Sequence, residues 1–210
     1  GGGVFAEPPG YYVPGYLAVV VLFTPLSRVG SEVARHRDGN RFEKLSTTPL
    51  RRLEWLLAQT LVNVVVIGLA ALVLLVLVVV VTGLRVPLRP STLLLVPFVA
   101  LAVTLFCGVG AILGRVADSQ DGVIAASNAL ALPLLFLSET FLTPSLLPDW
   151  FEPFVALSPL TYFARGVRAL TYAADAAASQ GTAVDSLVVL AVLAVAFFVV
   201  GAYAVPWGDG

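Results

Sequence analysis

The chain has 210 residues, of which 59% are hydrophobic and 12% charged, and its formal net charge is −1. Soluble domains are usually about 45–50% apolar, so the composition belongs to a membrane protein, and the missing basic excess excludes a general nucleic-acid-binding field. A single Cys and a single His exclude a disulfide framework and any metal site built from several Cys or His.

The first ten residues, GGGVFAEPPG, carry neither a basic n-region nor an apolar h-region, so they are not a signal peptide. The sequence contains no Met, which predicts a fragment or a processed chain. A helix needs about 20 apolar residues to cross a hydrocarbon core of about 30 Å, and five windows meet or approach this. The first, residues 11–29, opens with tyrosines placed as an interfacial aromatic belt.

A charged stretch comes next. Residues 31–38 predict a short helix with Ser31 as N-cap and Glu32 paired with Arg35, stopped by Gly39 or Asn40. Residues 41–45 form a second short piece. Thr48 then predicts a cap and Pro49 a first helical position, from which LRRLEWLLAQ runs into the next window without a break. Arg51 and Arg52 fall in a first turn, where the macrodipole disfavours each cation by about 0.3–1 kcal/mol. Anionic headgroups would favour each by about 1 kcal/mol. Lipid attraction does not explain why Phe42, Glu43, Lys44 and Leu45 form a compact, turn-bounded unit, a pattern suited to docking in a groove on a partner. His36, alone in this loop, reads as solvated.

The second window, residues 61–82, is free of charge; its valines favour strands in water, but in lipid only a helix satisfies its own backbone. The third, residues 92–114, ends in CGVGAILG, where Gly110 and Gly114 offer a small-residue packing face. Cys107 reads as a small packing residue. The fourth is residues 123–142 and the fifth residues 184–205. Asn63 and Asn128, lone amides within spans, predict interhelical hydrogen bonds. Between the last two windows, residues 143–183 are rich in Pro and aromatics and too broken for a span, which predicts short interfacial or re-entrant helices. Glu139 falls near one end of the fourth window. It either meets a cationic substrate or proton, or, as the sequence favours, is wetted at the membrane edge near Arg165 or Arg168.

The loop after the first window holds Arg28, Arg35, Arg37, Arg41, Lys44, Arg51 and Arg52, and the positive-inside rule makes it cytoplasmic against Arg85, Arg89, Arg165 and Arg168 opposite. Five spans then put the N-terminus outside and the C-terminus inside, which predicts an earlier helix and six spans in the intact protein. No GxxxxGK[ST] phosphate loop is present, and the only His lies outside any Ser/His/Asp arrangement, so no catalytic residue is assigned.

The stretch EVARHRDGNRFEKLSTTPLRRLEWLLAQ resembles the first cytoplasmic loop of type-2 ABC exporter permeases, the ABC-2 type transporter family, through Gly39, Phe42, Glu43, Leu45, Thr48, Pro49 and Leu50. Residues 132–170 resemble the family's last extracellular block, carried by Pro133, Phe136, Ser138, Leu147, Pro148, Trp150, Pro159, Leu160, Thr161, Tyr162 and Arg168, with Glu139 standing where the family usually has Gly. VPGY at residues 13–16 resembles the start of the family's second helix. The resemblance implies an all-α polytopic bundle forming one membrane domain over residues 1–210, and an ATPase-coupling loop over residues 30–50 that uses Gly39, Phe42, Glu43, Lys44, Leu45, Thr48, Pro49 and Leu50. It further implies an extracellular segment over residues 143–183 and a family of dimers working with a P-loop ATPase that binds ATP and Mg. The chain itself would be no enzyme and hold no cofactor or metal; its partners would be that ATPase, the lipid bilayer and a second permease, identical or related, and no nucleic acid. The sequence leaves the substrate open. A polysaccharide or glycolipid exporter, and an ATPase-independent channel or scaffold, stand as alternatives.

Overall fold

The computed structural model describes residues 9–83, 90–138, 140, 152–172 and 176–207, and among them every regular element is helical. The chain runs α1 (Val13–Asp38), α2 (Arg41–Ser46), α3 (Arg52–Thr82), α4 (Leu95–Val116), α5 (Gln120–Phe136), α6 (Glu152–Leu157), α7 (Pro159–Thr171) and α8 (Ala176–Ala204), with 3-10 turns at Pro9–Tyr12 and Pro90–Leu94. The all-α bundle expected from the sequence is the observed architecture. Among the described residues four segments are long and apolar enough to cross a membrane: α1, α3, Pro90–Val116 and Gly181–Ala204.

Some boundaries differ from the sequence reading. α1 continues unbroken to Asp38, so Ser31 lies inside it and caps nothing. Extending a formed helix adds one hydrogen bond per residue fixed, and no Pro interrupts the run from Val29 to Asp38. The fourth window yields a helix of only 17 residues, α5, ending at Phe136. There the Ser138 hydroxyl donates to the Leu135 carbonyl and meets Thr140, and the turn closes instead of extending. α8 starts at Ala176, before the apolar window.

α4 is the centre of the bundle, packing on α1, α3 and α8. Two glycine crossings let it approach its neighbours so closely. A Cβ on Gly110 would lie 2.6 Å from the Leu26 carbonyl oxygen of α1, and one on Gly114 would strike the Gly30 carbonyl. The Gly110–Gly114 pair is therefore a helix-packing face, as its spacing suggested. Gly108 and Gly201 meet in the same way between α4 and α8, where a Cβ on either would strike backbone of the other helix.

α3 buries one narrow face, Trp55, Leu56, Thr60, Asn63, Ile67 and Ala71, and exposes Leu61, Val65, Leu69, Leu72, Val76 and Val80. Such a surface is matched to acyl chains. Asn63 does not make the interhelical bond expected of it: its Nδ2 donates to the Gln59 carbonyl one turn back at 2.8 Å, and its Oδ1 has no partner. Asn128 is exposed on α5. Cys107 is buried, as a packing residue should be.

α6 and α7 are the short helices expected after the fourth window. Pro159 opens α7, where its missing N–H costs nothing. Gly166 lets α7 lie directly on the Phe98 ring of α4.

Candidate functional site

The charged stretch forms a small unit at the end of the bundle where α1 stops. The Gly39 N–H donates to the Arg35 carbonyl at 3.1 Å and the Asn40 N–H to the Arg37 carbonyl at 3.0 Å. Asn40 adopts the left-handed conformation, φ 50°, which Asn tolerates better than most residues, and the chain turns into α2. Six residues are too few for a helix to hold itself in water, so α2 depends on its anchors.

The main anchor is Phe42, only 2% exposed. Its ring centroid lies 5.2 Å from that of Trp55 on α3, 5.3 Å from His36 on α1 and 5.9 Å from Trp207 just beyond α8. Trp55 also meets His36 edge-on at 5.6 Å. Such contacts are worth about 0.5–1.5 kcal/mol each beyond the area buried. The sequence placed Phe42 in a docking face and His36 in solvent. In the structure Phe42 points inward as the anchor of α2, and His36, expected in solvent, is half-buried with its Nδ1 2.9 Å from the Glu32 carbonyl oxygen.

The run Ser46-Thr47-Thr48 closes α2. Their hydroxyls donate in succession to the carbonyls of Glu43 (2.6 Å), Lys44 (2.7 Å) and Leu45 (2.6 Å), satisfying helix-end acceptors that would otherwise need water. Thr48 is therefore committed to α2, not to α3 as a cap, and Pro49 lies outside both helices. α3 begins at Arg52, and Glu54 caps it by accepting the Arg51 N–H at 2.8 Å. The Glu54 carboxylate also places negative charge at the turn where Arg51 and Arg52 are electrostatically unwelcome.

Arg37 ties this unit to α4. Its Nη1 donates to the carbonyls of Gly114 (3.3 Å), Arg115 (3.3 Å) and Ala117 (2.7 Å), while its Nε donates to Asp38 at 3.0 Å. A cation at a helix C-terminus matches the dipole. Glu32 accepts a hydrogen bond from Arg35 one turn further along α1. Arg37→Ala is expected to destabilise the protein by about 1.5–3 kcal/mol, the range for hydrogen bonds to a charged group. Thermal unfolding in detergent, with amide exchange at Gly114 to Ala117, checks this.

The outward side of α2 is polar. Arg41, Glu43, Lys44 and the stretch from Ser46 to Pro49 are exposed, while Leu45 and Leu50 are half-buried against the core. Gly39 is exposed at the turn.

At the opposite end of α1, Arg168 of α7 stacks over the Tyr11 ring with its Cζ 4.0 Å from the centroid, and Tyr11 meets Tyr172 edge-on at 6.0 Å. Pro133 lies within α5, Ser138 is buried just after it, and Tyr162 is half-buried on α7. These residues do not converge with α2. Glu139, Leu147, Pro148, Trp150, Arg85 and Arg89 lie outside the described residues. Among the described residues no group of His, Cys, Asp and Glu is arranged to hold a metal.

The sequence pattern of the ABC-2 type transporter family matches residues 2–172. The chain belongs to the ABC-2 type transporter family. It is thus a multi-pass membrane protein and a permease subunit of an ABC exporter, a transport rather than a catalytic subunit, from a family that works with an ABC ATPase. No curated protein matches the chain. The ABC-2 match includes His36, Phe42 and Trp55 but ends before Trp207, so the aromatic cluster ties the family segment to the C-terminal end of the bundle.

Sequence reasoning missed Trp55, Trp207 and Arg37 as members of this unit. A signal for the tryptophans existed: Trp55 lies one helical turn into α3 and Trp207 just past α8, where an amphipathic ring marks the end of a span.

Proposed function

We propose that this permease moves a substrate outward across the cytoplasmic membrane, and that α2 is the element through which a separate ATPase drives it. The observation that carries this is the inward-facing Phe42. It fixes a six-residue helix to α1, α3 and the segment after α8 at once, while Glu43 and Lys44 face out. A push on that outward face is delivered to several spans together rather than lost in a loose loop.

In this reading the α2 end is cytoplasmic, as the cluster of Arg residues favours, and the segment containing α6 and α7 is extracellular. Residues 1–210 act as one membrane domain with residues 30–50 as its coupling loop. Gly39 sets the turn, Phe42 anchors, Glu43 and Lys44 present the docking surface with the half-buried Leu45 at its edge, and Thr48, Pro49 and Leu50 connect to α3. The partner binds ATP and Mg, and two permease chains pair around the path.

The test is co-purification of the full-length protein with an ABC ATPase encoded beside it, in wild type and in Glu43→Arg/Leu45→Asp. Retention by wild type and a loss of at least tenfold in the variant is expected. Equal capture of the ATPase by both forms would remove α2 from the interface, and capture by neither would leave the ATPase-independent channel or scaffold standing.

A further inference from the structure

Two side chains on the buried face of α3 hold polar atoms that no described residue satisfies. Thr60 is 3% exposed and Asn63 fully buried, and the Thr60 Oγ1 and the Asn63 Oδ1 both lack a hydrogen-bond partner. The direction of the Thr60 hydroxyl sets it apart. Thr82, Thr104 and Thr171 each donate to the carbonyl one turn back in their own helix, at 2.7, 2.7 and 2.9 Å. Thr60 does not. Its hydroxyl faces the buried Cys107 thiol of α4 without reaching hydrogen-bond geometry.

Both helices lie in segments apolar enough to cross a membrane. In such low-dielectric surroundings an unpaired polar atom is especially costly. Residues three apart on a helix have Cβ atoms about 5–6 Å apart, and two hydrogen bonds of about 2.8 Å laid end to end span that gap. A buried water typically makes about three hydrogen bonds to otherwise unsatisfied groups. Thr60 supplies a hydroxyl that donates or accepts, Asn63 an acceptor and Cys107 a weak thiol partner.

We propose that the Thr60 hydroxyl, the Asn63 Oδ1 and the Cys107 thiol bind one buried water in the seam between α3 and α4. The water donates to Oδ1 and accepts from Thr60, with the thiol as its third and weakest partner. The seam is then joined through a solvent molecule instead of a direct side-chain bond, so α3 can shift along α4 by exchanging water contacts. The competing partner for these atoms is Arg28 of α1, an exposed residue whose charge also acts on Cys107.

The experiment uses the full-length protein in phosphatidylcholine vesicles with methyl-labelled Thr and Ile. Magic-angle-spinning NMR measures the magnetisation passed from water to each methyl. Thr60→Ser, which keeps the hydroxyl and loses the methyl, assigns the Thr60 signal. Transfer to Thr60 is expected to exceed transfer to Ile67, two turns further along the same buried face, by about threefold or more. It should fall to the Ile67 level in Asn63→Leu and persist in Arg28→Gln. In detergent, Thr60→Val should lower the melting temperature, because it strips the water of a partner, while Thr60→Ser leaves it nearly unchanged. Equal transfer to Thr60 and Ile67 overturns the proposal. So does a rise in melting temperature in Thr60→Val, which would mean that a dry, unsatisfied hydroxyl had been removed. Transfer lost in Arg28→Gln but kept in Asn63→Leu would give the water to Arg28 and overturn it as well. No ATPase takes part, so failure here is separate from failure of the co-purification test.

Discussion

Replacing Phe42 by Ala is expected to release α2 from the bundle. A fully buried Phe cut to Ala costs roughly 3–5 kcal/mol, and here the ring is the shared contact of His36, Trp55 and Trp207. The loss falls locally, because a six-residue helix has no other large buried side chain: Phe42 is its one buried residue. Amide exchange across Arg41 to Ser46 should accelerate by about a hundredfold or more, while exchange in the middle of α4 stays as it was. ATPase capture should fall in parallel although no outward-facing group has changed. Unchanged exchange in α2 would mean that the hydroxyl caps of Ser46, Thr47 and Thr48 hold it without the ring.

The second large effect concerns the crossing of α4 and α8. Gly108→Val places side-chain atoms where the Phe197 carbonyl already lies, and Gly201→Val does the same against Gly108. The obstacle is backbone, which cannot swing aside as a flexible side chain can. Overpacking usually costs about 1–3 kcal/mol and occasionally more, and this site belongs at the upper end. Either variant should lose most of its folded yield in detergent. The milder Gly108→Ala and Gly201→Ala should each lower the melting temperature, and their combination should cost less than the sum, because the first forces the helices apart and the second then finds room. Additive costs would mean that the two positions do not share one contact.

Span positions were legible because a hydrocarbon core demands unbroken apolar stretches, and 61–82 or 92–114 could hardly serve otherwise. The contact made by Gly110 and Gly114 was legible in its spacing. Helix ends were not. Whether Thr48 caps α3 or closes α2 depends on whether its hydroxyl accepts from a following N–H at the start of α3 or donates to a preceding carbonyl of α2, and both choices fit the string STTPL. The direction of Phe42 was also hidden. In a six-residue helix Phe42 and Leu45 are too few apolar residues to define a face, and the partners of the Phe42 ring come from α1, α3 and beyond α8, far apart in sequence. The same distance kept His36 from being recognised as part of an aromatic cluster. For the segment after Ser138, composition indicated short helices but not that α7 would run beneath Phe98.

The place of Trp207 has a consequence for how the protein is made. Phe42 leaves the ribosome well before Trp207, which leaves it only after every described span has been synthesised. Until α8 is inserted and crosses α4 at Gly108 and Gly201, the aromatic cluster lacks one wall and α2 is incompletely held. A chain in which α8 is not yet inserted, or is misinserted, therefore presents an unlocked α2, so the same contact that stiffens the mature unit also reports that α8 is in place.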